Sequence, residues 1–138
     1  MNWQVERRFM VSVCVLGSAL AVAKLLAADE PKDSAETVMI TYRPKAGSEQ
    51  ALKRQIAQHW QQAVELNLVR ESPHLFLKTS VGGHENFVEI FAWRDAGIPD
   101  QPPPAIQAIW AEMAKLVETR DDRPGIEIAI VKPVDLSR

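Results

Sequence analysis

The sequence predicts an α+β domain in which one four-stranded antiparallel sheet carries two helices on one face. Four short runs rich in β-branched and aromatic residues have the two-residue period of strands. Two longer stretches repeat apolar residues every three or four positions, as amphipathic helices do. Glycine and proline clusters separate these segments, and the resulting order is β-α-β-β-α-β. The predicted strands are residues 38–43, 75–80, 85–95 and 125–132, the last ended by Pro133.

The first strand, VMITYR, is followed by the turn Pro44-Lys45-Ala46-Gly47. Ser48 precedes Glu49 and is the predicted N-cap of the first helix, because a serine side chain at this position can accept a backbone N–H bond. The helix is predicted to end before Pro73, since proline disfavours helical backbone in the residue before it. Its apolar stripe consists of Leu52, Ile56, Trp60 and Ala63.

The second half of the chain begins with a predicted hairpin. Gly82-Gly83 lies between the strands LFLKTS and ENFVEIFAWRD, and two glycines suit the positive φ angles of a tight hairpin turn. The proline-rich segment 96–104 is a connection, since neither a helix nor a strand interior accepts so many prolines. The second helix is predicted from the stripe Ile106, Ile109, Trp110, Met113, Leu116 and Val117.

The β-α-β-β-α-β order is the split βαβ pattern of ferredoxin-like domains. Alternation along each strand divides the side chains between two sheet faces. One predicted set is almost entirely apolar and is expected to face the helices: Val38, Ile40, Tyr42; Leu75, Leu77, Thr79; Val88, Ile90, Ala92; Ile126, Ile128, Ile130. The other set mixes rings with charges: Met39, Thr41, Arg43; Phe76, Lys78; Phe87, Glu89, Phe91, Trp93; Glu127, Ala129, Val131.

The mixed face predicts a homodimer, because soluble monomers rarely expose a continuous patch of rings and methyl groups. Packing two such sheets together would bury the rings and let acidic and basic side chains pair within or between chains. Glu89 is then a structural ion-pair partner; the alternative is a general base among aromatic rings. The predicted interface residues are Arg43, Lys78, Phe87, Glu89, Phe91, Trp93 and Glu127.

Composition and the N-terminus restrict the classes of partner. The 138 residues have a formal net charge of −2, so nothing in the composition suggests a nucleic-acid partner, which would need a basic face. Arg7 and Arg8 precede the uncharged run 9–23, a pattern typical of a secretory signal that is cleaved after Ala23 or Ala28. We therefore predict a signal peptide at 1–28, a linker at 29–36 and an exported domain at 37–134. The alternative is that the first segment is retained as a membrane anchor.

Three segments give the chain a resemblance to a known superfamily: VMITYRPKAG, FVEIFAWRD and IQAIWAEMAKLVE. The domain at 37–134 resembles the dimeric α/β-barrel superfamily, especially its antibiotic-biosynthesis-monooxygenase-like (ABM-like) domains. The resemblance implies a homodimer and a ligand cavity between each sheet and its own helices. Members include monooxygenases of phenolic compounds that use no cofactor, haem-degrading enzymes, mutarotases and domains without known activity.

The residues expected at such a cavity are His59 and Tyr42 as catalytic groups, with Trp60, Thr79, Trp110 and Met113 lining it. His59 is either a general base or a half-exposed residue beside the apolar stripe. Haem degradation is not expected, because the histidine that ligates iron on the second helix of those relatives has no counterpart after His84. No cofactor is expected, and His59, His74 and His84 lack a metal-ligand spacing.

The sequence leaves two candidate functions for the predicted domain. The first is an exported ABM-like monooxygenase that acts on a small aromatic or quinone-like compound. The second is a homodimeric module without catalysis that binds a small ligand or a partner. An enclosed cavity with converging polar groups would favour the first, and a well-filled interior would favour the second.

Overall fold

The predicted strands and helices are all present in the computed structural model, which describes residues 35–137. The predicted signal peptide and most of the predicted linker lie outside these residues, so export stays a prediction. Between residues 35 and 137, no helix has the length and apolar character needed to cross a bilayer. The elements are β1 Glu36–Tyr42, α1 Glu49–Glu65, β2 Val69–Val81, β3 His84–Trp93, α2 Pro104–Lys115 and β4 Ile126–Ile130, with a 3₁₀ turn at Ile98–Asp100.

The four strands form one sheet in the order β2-β3-β1-β4, and every neighbouring pair is antiparallel. The two inner strands, β3 and β1, are not consecutive in the chain, because α1 and β2 lie between them. This is the ferredoxin-like α+β arrangement, which confirms the predicted fold class. The edges of the sheet are β2 and β4.

Strand β2 is longer than predicted and begins at Val69. Helix α1 ends at Glu65, and Asn67 then adopts a positive φ of 56°, a conformation that asparagine tolerates better than most residues. This reverses the chain early enough for the segment 69–74 to join the sheet. The polar residues of this segment carry no strand signal, so from the sequence it was expected at the end of the helix.

The β2–β3 hairpin turns at Gly82 and Gly83, whose φ angles are 59° and 79°. Both angles lie in the left-handed region that a two-residue hairpin turn requires, and glycine adopts it without steric cost. The turn therefore fixes the register in which Val81 pairs with His84 and Phe76 pairs with Glu89.

The registers also show which side chains share a sheet face, because directly paired residues point to the same side. Ile40 pairs with Glu89 on one side and with Ile128 on the other. The predicted faces are thus correct for β1 and β4 and wrong for β2 and β3. Because side chains alternate along a strand, an assignment that is wrong by one residue places every side chain of that strand on the opposite face.

The helix-facing side of the sheet forms the core together with both helices. Its β3 side chains are the aromatic set that was expected on the opposite face: Phe87, Glu89, Phe91 and Trp93, each at most 3% exposed. The other face, called the open face below, is covered by no helix of residues 35–137. It presents Met39, Thr41, Leu75, Leu77, Val88, Ile90 and Ala129.

Candidate functional site

A fully buried carboxylate, Glu89, lies at the centre of the helix-facing side of the sheet, with no exposed surface. Its Oε2 accepts a hydrogen bond of 2.8 Å from the Tyr42 hydroxyl. Its Oε1 lies 3.1 Å from Nε2 of His74. Burying a carboxylate is costly unless its oxygens are paired, and here each oxygen has a partner.

The three strands bring these side chains together. Glu89 lies on β3, between Ile40 of β1 and Phe76 of β2, which are its direct partners. Tyr42 and His74 each lie two residues along their strand from those partners, at diagonal positions that long side chains can reach. The cluster Tyr42–Glu89–His74 therefore follows from the register of three adjacent strands.

His74 connects the buried carboxylate with the surface. Its side chain is 26% exposed, whereas Glu89 is fully enclosed. The indole of Trp60, from α1, is stacked on the imidazole with 3.5 Å between ring centroids and 8° between ring planes. The carboxylate fixes one ring nitrogen and the indole fixes the ring plane, so that Nδ1 points away from Glu89.

The protonation equilibrium of Tyr42 is shifted within the core. Burial is the main cause that raises the pKa of Tyr42 well above its usual value, and the charge of Glu89 and the hydrogen bond to it act in the same direction. Tyr42 therefore stays a hydroxyl donor at physiological pH. An ionised carboxylate only accepts hydrogen bonds, so Glu89 favours the imidazole tautomer that carries its hydrogen on Nε2 and leaves Nδ1 free.

His59, unlike His74, is buried, and it is surrounded by rings. Phe91, Trp93 and Trp110 lie with ring centroids 5.9, 5.9 and 6.1 Å from its own. Within residues 35–137, neither ring nitrogen of His59 finds a hydrogen-bond partner. Burial lowers the pKa of His59 from the ordinary value of 6.5; the charge of Glu89 opposes this, and that of His74 adds to it.

The neutral state of His59 predicts a loss of stability in mild acid. Because its pKa is lower in the folded chain, the unfolded chain binds more protons once the pH falls below about 6.5. The contribution of neutral His59 to the free energy of unfolding is therefore fully present above that pH. Below it the contribution declines by up to about 1.4 kcal/mol per pH unit. We expect wild type to lose more free energy of unfolding than His59→Phe between about pH 7.5 and pH 5, measured by urea denaturation.

His59→Gln is the matched control for that experiment. Glutamine keeps a polar group in the ring cluster but cannot titrate, so the variant is expected to be less stable than wild type and to lack the same pH dependence. Parallel curves for wild type and both variants would contradict a proton uptake at His59.

The residues predicted to line a helix-side cavity separate into two groups. Tyr42, His59 and Trp110 lie on the helix-facing side as expected, together with Trp60 and Met113. Thr79 does not: it pairs with Asn86 on β3 and belongs to the open face. The reason is the inverted face of β2, which carries Thr79 away from the helices.

The residues predicted for the dimer interface separate in the same way. Four of them form the core beneath the helices of their own chain, so the expected interface role is corrected for these: Phe87, Glu89, Phe91 and Trp93. Lys78 lies on the helix-facing side of edge strand β2, where its Nζ is 3.3 Å from Glu85. Only Arg43 and Glu127 belong to the open face, and they are paired within one chain at 2.6 Å.

His74 is the site residue that the sequence analysis missed. The segment before Leu75 was not assigned to a strand. The strand register that the two-glycine turn sets is sufficient to identify His74. With Val81 opposite His84, counting back along both strands places Phe76 opposite Glu89 and His74 at its diagonal.

A separate cavity of about 450 Å³ lies on the open face. Met39, Val88 and Ala129 contribute apolar side chains to it, and Arg43, Arg120 and Arg123 contribute guanidinium groups. The side chains between the sheet and the helices, by contrast, are closely packed, with Tyr42 and Met113 only 1% exposed. A ligand of the Glu89 cluster would therefore approach at the His74–Trp60 pair.

No group of three or more His, Cys, Asp or Glu side chains within the described part of the chain is arranged to hold a metal ion. The Glu89 cluster has the groups for acid–base chemistry through His74. The cluster holds an oriented imidazole at the surface, a carboxylate behind it and a phenol that donates to the carboxylate.

Comparison with known proteins gives a likeness of fold. No family model and no curated protein matches the sequence. Rv0793 from Mycobacterium tuberculosis superposes with a TM-score of 0.54 and 13% identity over 76% of this chain and 100% of that one. Atu4242 from Agrobacterium tumefaciens gives 0.51 and 17% identity, over 74% and 96% of the two chains.

Functional descriptions exist for two of these structural neighbours, and they apply to those proteins only. Atu4242 is described as a nipsnap family protein with unknown function. A protein from Bacteroides thetaiotaomicron is described as conserved, of unknown function and a possible oxidoreductase; it gives a TM-score of 0.53 and 9% identity over 72% of this chain and 99% of that one. At such identities the shared property is the ferredoxin-like fold.

Proposed function

We propose that this chain is a small oxidoreductase in which His74 removes a proton from a phenolic or quinone-like aromatic compound, which then reacts with oxygen. The observation that carries the proposal is the Tyr42–Glu89–His74 cluster. A carboxylate without exposed surface holds one nitrogen of a partly exposed imidazole at 3.1 Å. Such an arrangement suits a general base, because the imidazole is held in one orientation and one tautomer.

The assigned roles differ from residue to residue. Nδ1 of His74 accepts the proton of the substrate, and Glu89 stabilises the imidazolium that forms. Tyr42 donates to the second oxygen of Glu89 and is a positioning residue, since it does not reach the substrate side. Trp60 offers an aromatic surface beside His74, which suits a planar substrate.

The reaction requires no protein-bound redox group when the substrate itself can donate electrons. For a CH₂ group activated by a ring carbonyl, His74 removes one proton and leaves a delocalised anion. Oxygen adds to the carbon, and the proton returns to give a hydroperoxide. Loss of water from the hydroperoxide leaves a carbonyl, so that CH₂ and O₂ become C=O and H₂O.

The ABM-like resemblance supports the same class of reaction, because phenolic monooxygenases without a cofactor belong to that group. The acidic hydrogen of their substrates matches the base that His74 offers. The Bacteroides neighbour, described as a possible oxidoreductase, agrees in reaction type.

Oxidation of anthrone tests the proposed reaction. Anthrone carries a CH₂ group of the required kind, and its conversion to anthraquinone consumes one O₂. We expect the purified protein to accelerate oxygen uptake and anthraquinone formation above the rate in buffer. The heat-denatured protein is the control, and equal rates with both would overturn the oxygenase assignment for this substrate type.

We also propose that two copies associate through the open face. Leu75 and Leu77 are 50% and 47% exposed there, and Ile90 lies opposite Leu75. These three side chains form what we call the apolar patch. Exposed apolar groups in such a row commonly mark an interface, and two four-stranded sheets can close into one eight-stranded barrel.

The apolar patch predicts a dimer that a pair of charges disrupts. We expect the wild-type protein to have the mass of two chains in light scattering, and Leu75→Glu/Leu77→Glu to have the mass of one. Leu66→Glu is the control, because Leu66 follows α1, is 41% exposed and belongs to no strand. A monomeric wild type, or a dimeric double variant, would contradict this interface.

The closely packed interior favours a second candidate, a dimeric module without catalysis. Tyr42, Phe91 and Met113 leave little room between sheet and helices, each being at most 1% exposed. The two candidates are distinguished by combining both measurements. A dimer that does not oxidise anthrone or related phenols supports the module.

A further inference from the structure

We propose that the cavity on the open face binds a small organic anion with an apolar body, such as an aromatic carboxylate. This site lies on the opposite side of the sheet from Glu89 and is independent of the proposed oxidation. It is formed by one chain, at the end of the open face where β1 ends and β4 begins. Its volume of about 450 Å³ falls in the range of small-molecule sites.

The first supporting feature is a carboxylate shared by two guanidinium groups. Arg43 Nη2 lies 2.6 Å from Glu127 Oε2, and Arg123 Nη2 lies 3.1 Å from Glu127 Oε1. The pKa of Glu127 is lowered, chiefly by its hydrogen bond from Arg43, so the carboxylate is ionised at neutral pH. One negative charge faces two positive ones, which leaves this group of three with an excess positive charge.

The buried side chain of Arg43 is held in place by the fold. Only 8% of this side chain is exposed, and its Nη1 donates a 2.7 Å hydrogen bond to the carbonyl of Pro124. Arg123 has 63% of its side chain exposed, so its remaining N–H groups are accessible to a ligand. Glu127 is thus shared by a fixed arginine, Arg43, and an accessible one, Arg123. Guanidinium groups recognise carboxylates through two parallel N–H donors, which suits the carboxylate of a ligand.

The second supporting feature is Arg120 on the same rim. Its Nη1 donates to Asn86 and its Nη2 to Pro44 and Glu118, but its Nε, although buried, has no partner among residues 35–137. A buried donor without a partner carries a desolvation cost that an arriving acceptor can relieve. Glu118 offsets the charge of Arg120, and Asp121 offsets the one positive charge left by Arg43, Arg123 and Glu127, so an anion would be recognised by the placement of the guanidinium groups rather than by a net charge.

The turn between Arg120 and Arg123 places both arginines at the rim. Asp121 and Asp122 have φ angles of 52° and 58°, and the flanking arginines exchange backbone hydrogen bonds of 2.9 and 3.0 Å. Asp121 also lines the cavity and is the group there that opposes an anion. The floor, formed by Met39, Val88 and Ala129, accepts an apolar body.

Titration calorimetry of the full chain with sodium benzoate tests the proposal. Arg123→Gln removes an accessible guanidinium and is expected to weaken binding at least fivefold. Asp121→Asn removes the opposing charge, in a residue type that tolerates the positive φ, and is expected to strengthen binding about threefold. Arg54→Gln, at an exposed position on α1, is the control and is expected to leave binding unchanged.

The apolar requirement and the location are tested in the same way. Benzyl alcohol, which lacks the charge, and sodium acetate, which lacks the ring, are each expected to bind at least fivefold more weakly than benzoate. Ala129→Phe fills the floor and is expected to abolish binding. Failure of benzoate to bind, or equal binding by wild type and Arg123→Gln, would overturn the proposal.

Light scattering on the same samples separates this proposal from the dimer. Binding that depends on Arg123 in a protein of single-chain mass supports the anion site and contradicts the interface. A dimer that does not bind benzoate contradicts the anion site and leaves the interface standing. Neither outcome depends on anthrone oxidation.

Discussion

Replacing His74 by Gln is expected to lower the rate of anthrone oxidation about 100-fold, because a positioned general base contributes at least that factor. Glutamine keeps a side chain of similar reach next to Glu89 but has no basic nitrogen at neutral pH. The expected loss is in kcat, since the planar surface of Trp60 remains for binding. Stopped-flow or steady-state oxygen uptake measures it.

His84→Gln is the matched control for that substitution. Both histidines belong to the β2–β3 hairpin, but His84 is exposed beside the glycine turn and pairs with Val81. We expect this variant to oxidise anthrone at the wild-type rate. Equal losses in the two variants would show that the hairpin, rather than the imidazole at Glu89, is responsible.

Glu89→Gln separates orientation from proton transfer in the same assay. Glutamine fits the space of the carboxylate but lacks its charge, so it cannot stabilise an imidazolium at His74. Because the role of Glu89 acts through His74, the variant should change the pH profile of kcat as well as its value. An unchanged profile would leave Glu89 with a structural role alone.

The sequence predicted the elements of the fold well because their signals are local. The apolar stripe from Leu52 to Ala63, the Gly82-Gly83 turn and the prolines before α2 each specify structure within a few residues. The assignment of strand faces is a different problem. A strand has two faces, and the choice depends on contacts with strands and helices that are distant in sequence.

The face of β3 was misassigned for a specific physical reason. Val88, Ile90 and Ala92 form an uncharged row, which looks like the better floor for helices, whereas the alternate row includes Glu89. The charged row is the buried one, because Tyr42 and His74 satisfy both carboxylate oxygens. Aromatic rings on either side of Glu89 supply more apolar area than the aliphatic row does.

The candidate site was accordingly predicted in part. Tyr42 was identified because alternation along the first strand places it on the helix-facing side, and Glu89 was weighed as a base but assigned to an interface. His74 required the hairpin register, and its stacking with Trp60 required the packing of α1 on the sheet. No local pattern encodes such contacts between segments.

Replacing Glu89 by Leu is expected to reduce the free energy of unfolding by about 2 kcal/mol, because the buried Tyr42 hydroxyl loses its acceptor. Leucine occupies similar space, so the loss comes from the unpaired donor rather than from a cavity. Glu85→Leu, on the same strand, is the control: its ion pair with Lys78 is exposed, and such pairs contribute about 0–1 kcal/mol. Urea denaturation of the three proteins gives both differences.

A second substitution tests whether the hydroxyl is the cause. Tyr42→Phe alone removes one of the two partners of the buried carboxylate and should cost about 1.5–3 kcal/mol. In the Glu89→Leu background the same change removes a donor that has already lost its acceptor, and it should restore stability. Replacing both members of a buried polar pair with apolar groups of similar shape is often close to neutral. The double variant should therefore be more stable than the sum of the single effects, by at least about 1 kcal/mol. Additive losses would mean that Tyr42 and Glu89 are not coupled, and the buried carboxylate would then owe its stability to His74 alone.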